Sequence, residues 1–317
     1  MLTCQSAILL ISVLLMAVGA SAQTPAPVKK LVLPPAPEGV TIQQDVSYLA
    51  PGRTEKLDLY LPASRPKNVR SPAVVMIHGG GWTGGDKAEG RSFNICTTLA
   101  KAGYVCISIN YILERGKCWP ADLYDCKNAV RWLRVNAEKY QVDADHIGVL
   151  GGSAGGHLAL MVAYTNRVPR LEPASPYPGV SDKVSCVVNM YGITNLLIRQ
   201  KTDAQGVPTG QVLTSEALMT KPLSEDREAY SFASPVHHIS KNSPPTLILH
   251  GLIDSTVDYE QAKELARKLE ARGVEHQLAL LEGVGHTFDL QGWQHKPLPQ
   301  DVRSMVVGFF DKHLKRK

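Results

Sequence analysis

The apolar positions change period repeatedly along the chain. Residues 40–48 carry strand-forming residues. Lys56-Leu57-Asp58-Leu59-Tyr60-Leu61 alternates polar with apolar, as a half-buried strand would. Ala73-Val74-Val75-Met76-Ile77 is continuously apolar and predicts a strand covered on both faces. Further strands are predicted over 104–109, 146–150, 184–190, 246–250 and 276–281. Between them, helices are predicted over 121–140, 154–164, 258–272 (stopped by Gly273) and 299–314; in the first of these Ala129, Val130, Leu133 and Ala137 recur at helical spacing. Strands alternating with helices of this length require right-handed crossovers, so the predicted class is α/β: a mostly parallel eight-stranded sheet with helices on both faces. The first strands are joined by short links and should form an antiparallel edge. After the sixth strand, residues 193–232 break the rhythm with polar and turn residues and weak helical patches near 212–220. An irregular insertion of that length inside a compact domain suggests a small lid.

Met1–Ala22 has no charged side chain, and residues 7–18 form an apolar run too short to cross a bilayer. The run ends in Gly19-Ala20-Ser21-Ala22-Gln23, an A-x-A cleavage signature, so 1–22 is expected to be a secretory signal peptide cut after Ala22. This implies a secreted or periplasmic protein with no stable membrane span once the signal is gone. Residues 23–38 are rich in proline, at positions 25, 27, 34, 35 and 37, and read as an extended linker. The catalytic domain is expected over 39–317.

Composition narrows the class further. Of 317 residues 44% are hydrophobic and 20% charged, which excludes a disordered chain and a multi-pass membrane protein. The net charge is +5, and the last seven residues, with Lys312, Lys315, Arg316 and Lys317 against Asp311, hold +3 of it. No basic stripe remains to read as a nucleic-acid footprint. Beyond Cys4, five cysteines follow: Cys96, Cys106, Cys118, Cys126 and Cys186. An odd number leaves at least one thiol unpaired within the chain. Cys118 and Cys126, joined by a turn-rich segment leading into a helix, are the best candidates for a bridge. No cysteine or histidine spacing suggests a metal, and neither metal nor cofactor is expected.

The chemistry concentrates in four places. Gly151-Gly152-Ser153-Ala154-Gly155-Gly156 lies between a predicted strand and a predicted helix, the setting that turns G-x-S-x-G into a nucleophile elbow. The turn strains the serine backbone, and side chains at 151 and 155 would collide with neighbouring chain. Just past the strand ending at Ile77, His78-Gly79-Gly80-Gly81-Trp82 lets the backbone aim N–H groups inward. Gly80, Gly81 and Ala154 are the expected oxyanion donors. A serine also needs a base and an orienting acid. Asp254 follows the strand over 246–250, and His286 follows the strand over 276–281, giving the chain order Ser, Asp, His. Among rivals, His237 and His238 read as capping or surface groups, His157 as packed beneath the elbow, and His250 as structural. Asp258 reads as a helix cap and Asp289 as too near His286 in sequence.

Together, His78-Gly79-Gly80-Gly81-Trp82, Gly151–Gly156 with His157, His250-Gly251-Leu252-Ile253-Asp254 and Gly285-His286 resemble the α/β-hydrolase superfamily. Within it, the chain is similar to the esterase and lipase branch with the HGGG loop, especially the carbohydrate-esterase-like group that includes bacterial feruloyl and acetylxylan esterases. Leu57-Asp58-Leu59-Tyr60-Leu61-Pro62 and Asn110-Tyr111 fit that group, and the likeness spans about residues 40–315. Hormone-sensitive-lipase-like relatives carry an N-terminal helical cap where this chain has a linker and strands. A Gly-Lys-Cys loop within 112–119 replaces their acidic-proline segment, and both departures imply a more open site.

The expected function is hydrolysis of carboxylic esters of small acyl groups, carbohydrate-linked through acetyl or feruloyl bonds, by Ser153, His286 and Asp254 through an acyl-enzyme. The expected partner is a small-molecule or polysaccharide ester. The alternatives are a broad carboxylesterase or lipase, a peptidase or amidase with the same triad, and a non-catalytic binding protein of the same fold.

Overall fold

The strand at the centre of the molecule is made by its sequence to be covered twice. In the computed structural model, which describes residues 31–66 and 69–315, Ser71–Ile77 (β3) sends Ala73, Val75 and Ile77 into one hydrophobic cluster and Val74 and Met76 into another on the opposite face. Side chains alternate across a strand, so a continuous apolar run feeds two cores at once. The elements preceding it are Val40–Ser47 (β1) and Lys56–Pro62 (β2). After it come Gly90–Lys101 (α1), Val105–Ile109 (β4), Ala121–Val135 (α2), Ala137–Tyr140 (α3), Val142–Gly152 (β5), Ala154–Tyr164 (α4) and Cys186–Met190 (β6). Gln200–Thr202 (β7), Pro208–Val212 (β8) and Arg227–Phe232 (α5) lie in the insertion. Thr246–Gly251 (β9), Glu260–Glu270 (α6), His276–Leu281 (β10), Gly292–Trp293 (β11), Lys296–Pro297 (β12) and Val302–Leu314 (α7) complete the described chain.

The main sheet has eight strands in the order β1-β2-β4-β3-β5-β6-β9-β10. The pairings β1–β2 and β2–β4 are antiparallel and the remainder parallel, as the short early links require. Side chains of α2, α4 and α6 fill one face of the sheet, and those of α1 and α7 fill the other. Every residue of α4 is buried, so this helix, which begins right after Ser153, is a fixed post. The two halves of the order diverge between β3 and β5, and the loops after those strands carry the glycine-rich motifs.

Several expectations change. The helix α1 escapes the sequence reading because Thr97 and Thr98 weaken its propensity and no side chain caps its start. The predicted helix over 121–140 is interrupted at Asn136. In place of helical patches near 212–220, the insertion holds the β7–β8 hairpin and the short helix α5. The strand β2 is not half-buried: Asp58 is fully enclosed, because Lys87 reaches it from the glycine-rich loop. Cys118 and Cys126 form no bridge. All five described cysteines are free and buried, with the Cys118 thiol donating to the Glu114 carbonyl. The proposed signal peptide, 1–22, and residues 23–30 of the linker lie outside the described residues. Among the described residues no helix is long and apolar enough to cross a membrane.

Candidate active site

Ser153 stands between β5 and α4 with φ 57° and ψ −124°, a region that a side chain enters only under strain. The surroundings hold it there. Its N–H donates to the Met190 carbonyl at the end of β6 (3.0 Å), and its carbonyl accepts from His157 N–H (3.0 Å). Position 155 must be glycine: a Cβ there would lie 2.1 Å from the Ile77 carbonyl oxygen and 2.4 Å from that of His78. The elbow and the HGGG loop therefore touch backbone to backbone.

His286 and Asp254 arrive from the loops after β10 and β9. His286 Nδ1 lies 2.6 Å from Asp254 Oδ2, and Nε2 lies 2.9 Å from Ser153 Oγ. A carboxylate only accepts, so Nδ1 carries the proton, Nε2 is the acceptor, and the serine hydroxyl donates to it. Asp254 is fully buried, and its other oxygen accepts the N–H groups of Thr256 (2.8 Å) and Val257 (2.9 Å). Burial pushes its carboxyl up, but hydrogen bonds from His250 and His286 outweigh burial and hold it well below the usual carboxylate range. The second histidine is a contributor that sequence reasoning treated as merely structural. His250 Nε2 lies 3.0 Å from the Val257 carbonyl and 3.3 Å from Asp254 Oδ2, so the N–H there faces both acceptors.

The HGGG loop is held from beneath by residues that the family likeness singles out without explaining. Asn110 Oδ1 accepts Lys87 N–H (2.6 Å), and its amide donates to Asp86 (2.9 Å). Tyr111 donates to the His78 carbonyl (3.0 Å) and stacks on the His78 ring at 4.5 Å. Lys87 Nζ reaches Asp58 (2.7 Å) and Asp45 (3.0 Å). Trp82 is buried, and its indole N–H donates to His157 Nδ1 (3.2 Å), leaving Nε2–H to donate to the Ala233 carbonyl (2.7 Å). Burial holds His157 down to about 4, so it stays neutral. Among the described residues, no hydrogen bond is donated by the backbone N–H groups of Gly80, Gly81 or Ala154. Gly80 and Gly81 also line the cavity that contains Ser153.

That cavity holds about 420 Å³, and Ile193, Arg199, Thr214, Ser215 and Ala217 of the insertion contribute to its lining. A second, more polar cavity of about 770 Å³ shares His286 as a wall and is lined by Asp289, Gln291, Trp293, Gln294, His295 and Lys296. Trp293 donates to the His286 carbonyl (2.8 Å), fixing the loop while facing that space. Tyr191, also unnoticed in the sequence, packs its ring 4.8 Å from the His286 ring and donates to the Phe288 carbonyl (2.8 Å). Three of the rivals take no part in the relay. His237 contacts Ser231, His238 contacts the Phe232 carbonyl, and Asp289 accepts the N–H groups of Gln291 and Gly292 in a turn. Asp258 stands just before α6, as a cap would, with its carboxylate accepting the Gln261 N–H in the first turn. It also accepts Gln200 N–H (2.9 Å) and so ties the start of β7 to the sheet edge.

Known proteins resemble this arrangement. The family described as BD-FAE matches residues 57–269, and the dienelactone hydrolase family matches residues 228–313. The "Probable carboxylic ester hydrolase LipM" of Mycobacterium tuberculosis is 34% identical over 86% of this chain and 62% of its own length. The chain spans 54–62% of the length of its mycobacterial relatives. A truncated carbohydrate esterase from gut microbiota superposes with a TM-score of 0.73 at 25% identity, covering 87% of this chain and 97% of that one. An acetyl ester-xyloside bifunctional hydrolase from Caldicellulosiruptor lactoaceticus superposes with a TM-score of 0.67 at 26% identity, covering 82% and 89%.

Proposed function

The chain belongs to the BD-FAE family of the α/β-hydrolase superfamily, among relatives named as esterases, and from that premise we propose that it is an exported serine esterase that removes small acyl groups from carbohydrate. The observation that carries the chemistry is the continuous relay from Ser153 Oγ through His286 to the buried Asp254. As Ser153 attacks the ester carbonyl, its proton passes to His286 Nε2. The imidazolium so formed is stabilised by Asp254, which stays ionised. The carbonyl oxygen becomes an oxyanion and takes the N–H groups of Gly80, Gly81 and Ala154. Because these donors are already oriented, little reorganisation accompanies the charge. His286 then protonates the departing alcohol, and water releases the acyl group by the same steps in reverse.

Carbohydrate as the alcohol is supported by the 770 Å³ cavity beside His286, where an indole and a ring of amide, imidazole and ammonium groups suit a ligand with an apolar face and many hydroxyls. The names of the two structural neighbours point the same way. The smaller cavity beside Ser153 suits an acetyl or an aromatic acyl group better than a long chain. Export rests on the character of residues 1–22, and a mature N-terminus at Gln23 is its expected signature.

The test is hydrolysis of p-nitrophenyl acetate, acetylated xylan and a feruloylated sugar by the protein and by Ser153→Ala, together with labelling by a fluorophosphonate. Activity and labelling should both vanish in the variant. Hydrolysis that persists without Ser153 overturns the assignment, and a preference for long-chain esters overturns the substrate class.

A further inference from the structure

Two polar groups on the wall of the Ser153 cavity have no use in the reaction just described. Arg199 enters the insertion immediately before β7 and faces the cavity. Its Nε is buried without a partner, and its guanidinium makes one long contact, 3.4 Å to the Thr256 carbonyl. Ser215, on the same wall and 2% exposed, has a buried hydroxyl with no partner at all. Buried polar atoms are normally satisfied, so two orphans in residues that line one cavity mark a wall whose polar groups the protein itself leaves unanswered.

The charge balance sharpens the reading. Arg131 is paired with Glu172 and Asp182, and Arg53 with Asp125 and Glu55, while Arg134 is satisfied by the Ser181 and Lys183 carbonyls. Arg91, the second cation lining the cavity, is 3.4 Å from Glu89 on the same wall. Among the described residues no ion pair joins Arg199 to a carboxylate. The acids that sense it, Asp258 and Asp254, are committed to Gln200 N–H and to the histidines. The cavity wall therefore carries a partly desolvated positive charge that senses Asp258 and Asp254 without an ion pair to either, and on the same wall a serine hydroxyl without a partner. A guanidinium fork on a cavity wall matches a carboxylate, and a hydroxyl on the same wall can supply a further donor.

We infer that Arg199 and Ser215 form a subsite for a carboxylate carried by the ester, so that the preferred substrates are anionic esters. The inference rests on the esterase reading and adds the charge of the substrate to it. The carboxylate can come from either side of the scissile bond: the free end of a dicarboxylic acyl group, or a uronic acid in the alcohol.

Two substrate pairs distinguish the sources: 4-nitrophenyl hemisuccinate against 4-nitrophenyl butyrate, and acetylated glucuronic acid against acetylated glucose. In one pair the anionic member should have the higher kcat/KM by at least tenfold, expressed mainly in KM, since a hydrogen bond to a charged group is worth about 1.5–3 kcal/mol. Arg199→Gln should bring that ratio to near unity, Arg199→Lys should restore part of it, and Ser215→Ala should lower it severalfold. A ratio near unity in both pairs for the unmodified protein, or one that survives Arg199→Gln, overturns the inference while leaving the esterase reading intact. Calorimetric titration of succinate into Ser153→Ala tests the subsite without turnover. Binding that disappears in Ser153→Ala/Arg199→Gln supports it, and absence of binding to Ser153→Ala argues against it even where no ester is hydrolysed.

Discussion

Lys87 Nζ lies 2.7 Å from Asp58 Oδ1 with both side chains almost wholly enclosed, joining the far end of the HGGG loop to the second strand of the sheet. Burial disfavours the charged Lys87, but Asp58 and Asp45 outweigh it and hold its ammonium above the usual range. Removing one partner strands the other charge. Lys87→Met should therefore cost about 3–5 kcal/mol in urea unfolding, whereas the double variant Lys87→Met/Asp58→Leu should cost clearly less than the two single changes added. Additive losses would mean the ions are not coupled.

His157 makes stability depend on pH. In the folded protein it resists protonation down to about 4, whereas an unfolded histidine titrates near 6.5. The unfolded state therefore binds the extra proton between these values, and stability must fall as pH drops from about 6.5 toward 4, by about 3 kcal/mol for this group. Above pH 7 the contribution is complete. A Tm series from pH 4 to 8 should show this slope, and His157→Gln should be flatter; equal slopes would remove His157 as the cause.

Asp122 does the opposite. It is enclosed at the start of α2, with one oxygen accepting Leu123 N–H (2.8 Å) and the other unpartnered. Burial raises it to about 7. Between about pH 4 and 7 the unfolded carboxyl is ionised while the folded one keeps its proton, so its cost grows with pH and levels off above 7. Asp122→Asn should leave stability nearly unchanged at pH 4 and raise it at pH 8, by up to about 4 kcal/mol. A variant no more stable at pH 8 than the unmodified protein contradicts this.

His250 should act through Asp254. Its replacement by phenylalanine removes a hydrogen bond that holds the carboxylate in place and ionised. We expect kcat to fall about tenfold or more with little change in KM, and the acidic limb of the kcat profile to move. Asp254→Asn should cost far more, on the order of 10⁴ in kcat, by presenting the wrong imidazole tautomer. A His250→Phe profile that overlays the unmodified one would make that histidine purely structural.

The glycine-rich turn around Ser153 was readable because part of its steric demand is local: a Cβ at 151 would lie 2.1 Å from the Gly155 carbonyl oxygen, four residues on. The central strands were readable because two-faced burial imposes an unbroken apolar run. Other features left no such trace. Asp58 looks like the polar tooth of a half-exposed strand until Lys87 arrives from 29 residues away. The helix α1 is stabilised by packing under the sheet and not by its own propensity. Trp293 and Tyr191 are ordinary aromatics until the loops after β10 and β6 bring them against His286.

By itself, then, the order of residues determined the alternation of strands and helices, the strained turn at Ser153 and the identity of the three groups that meet there. These follow from sterics and periodicity acting over a few neighbouring residues. Only the folded chain decided which histidines attend Asp254, what anchors the HGGG loop and which charges on the cavity wall go unanswered. Those are contacts between segments far apart in sequence, and their energies depend on burial, which no short stretch of chain possesses alone.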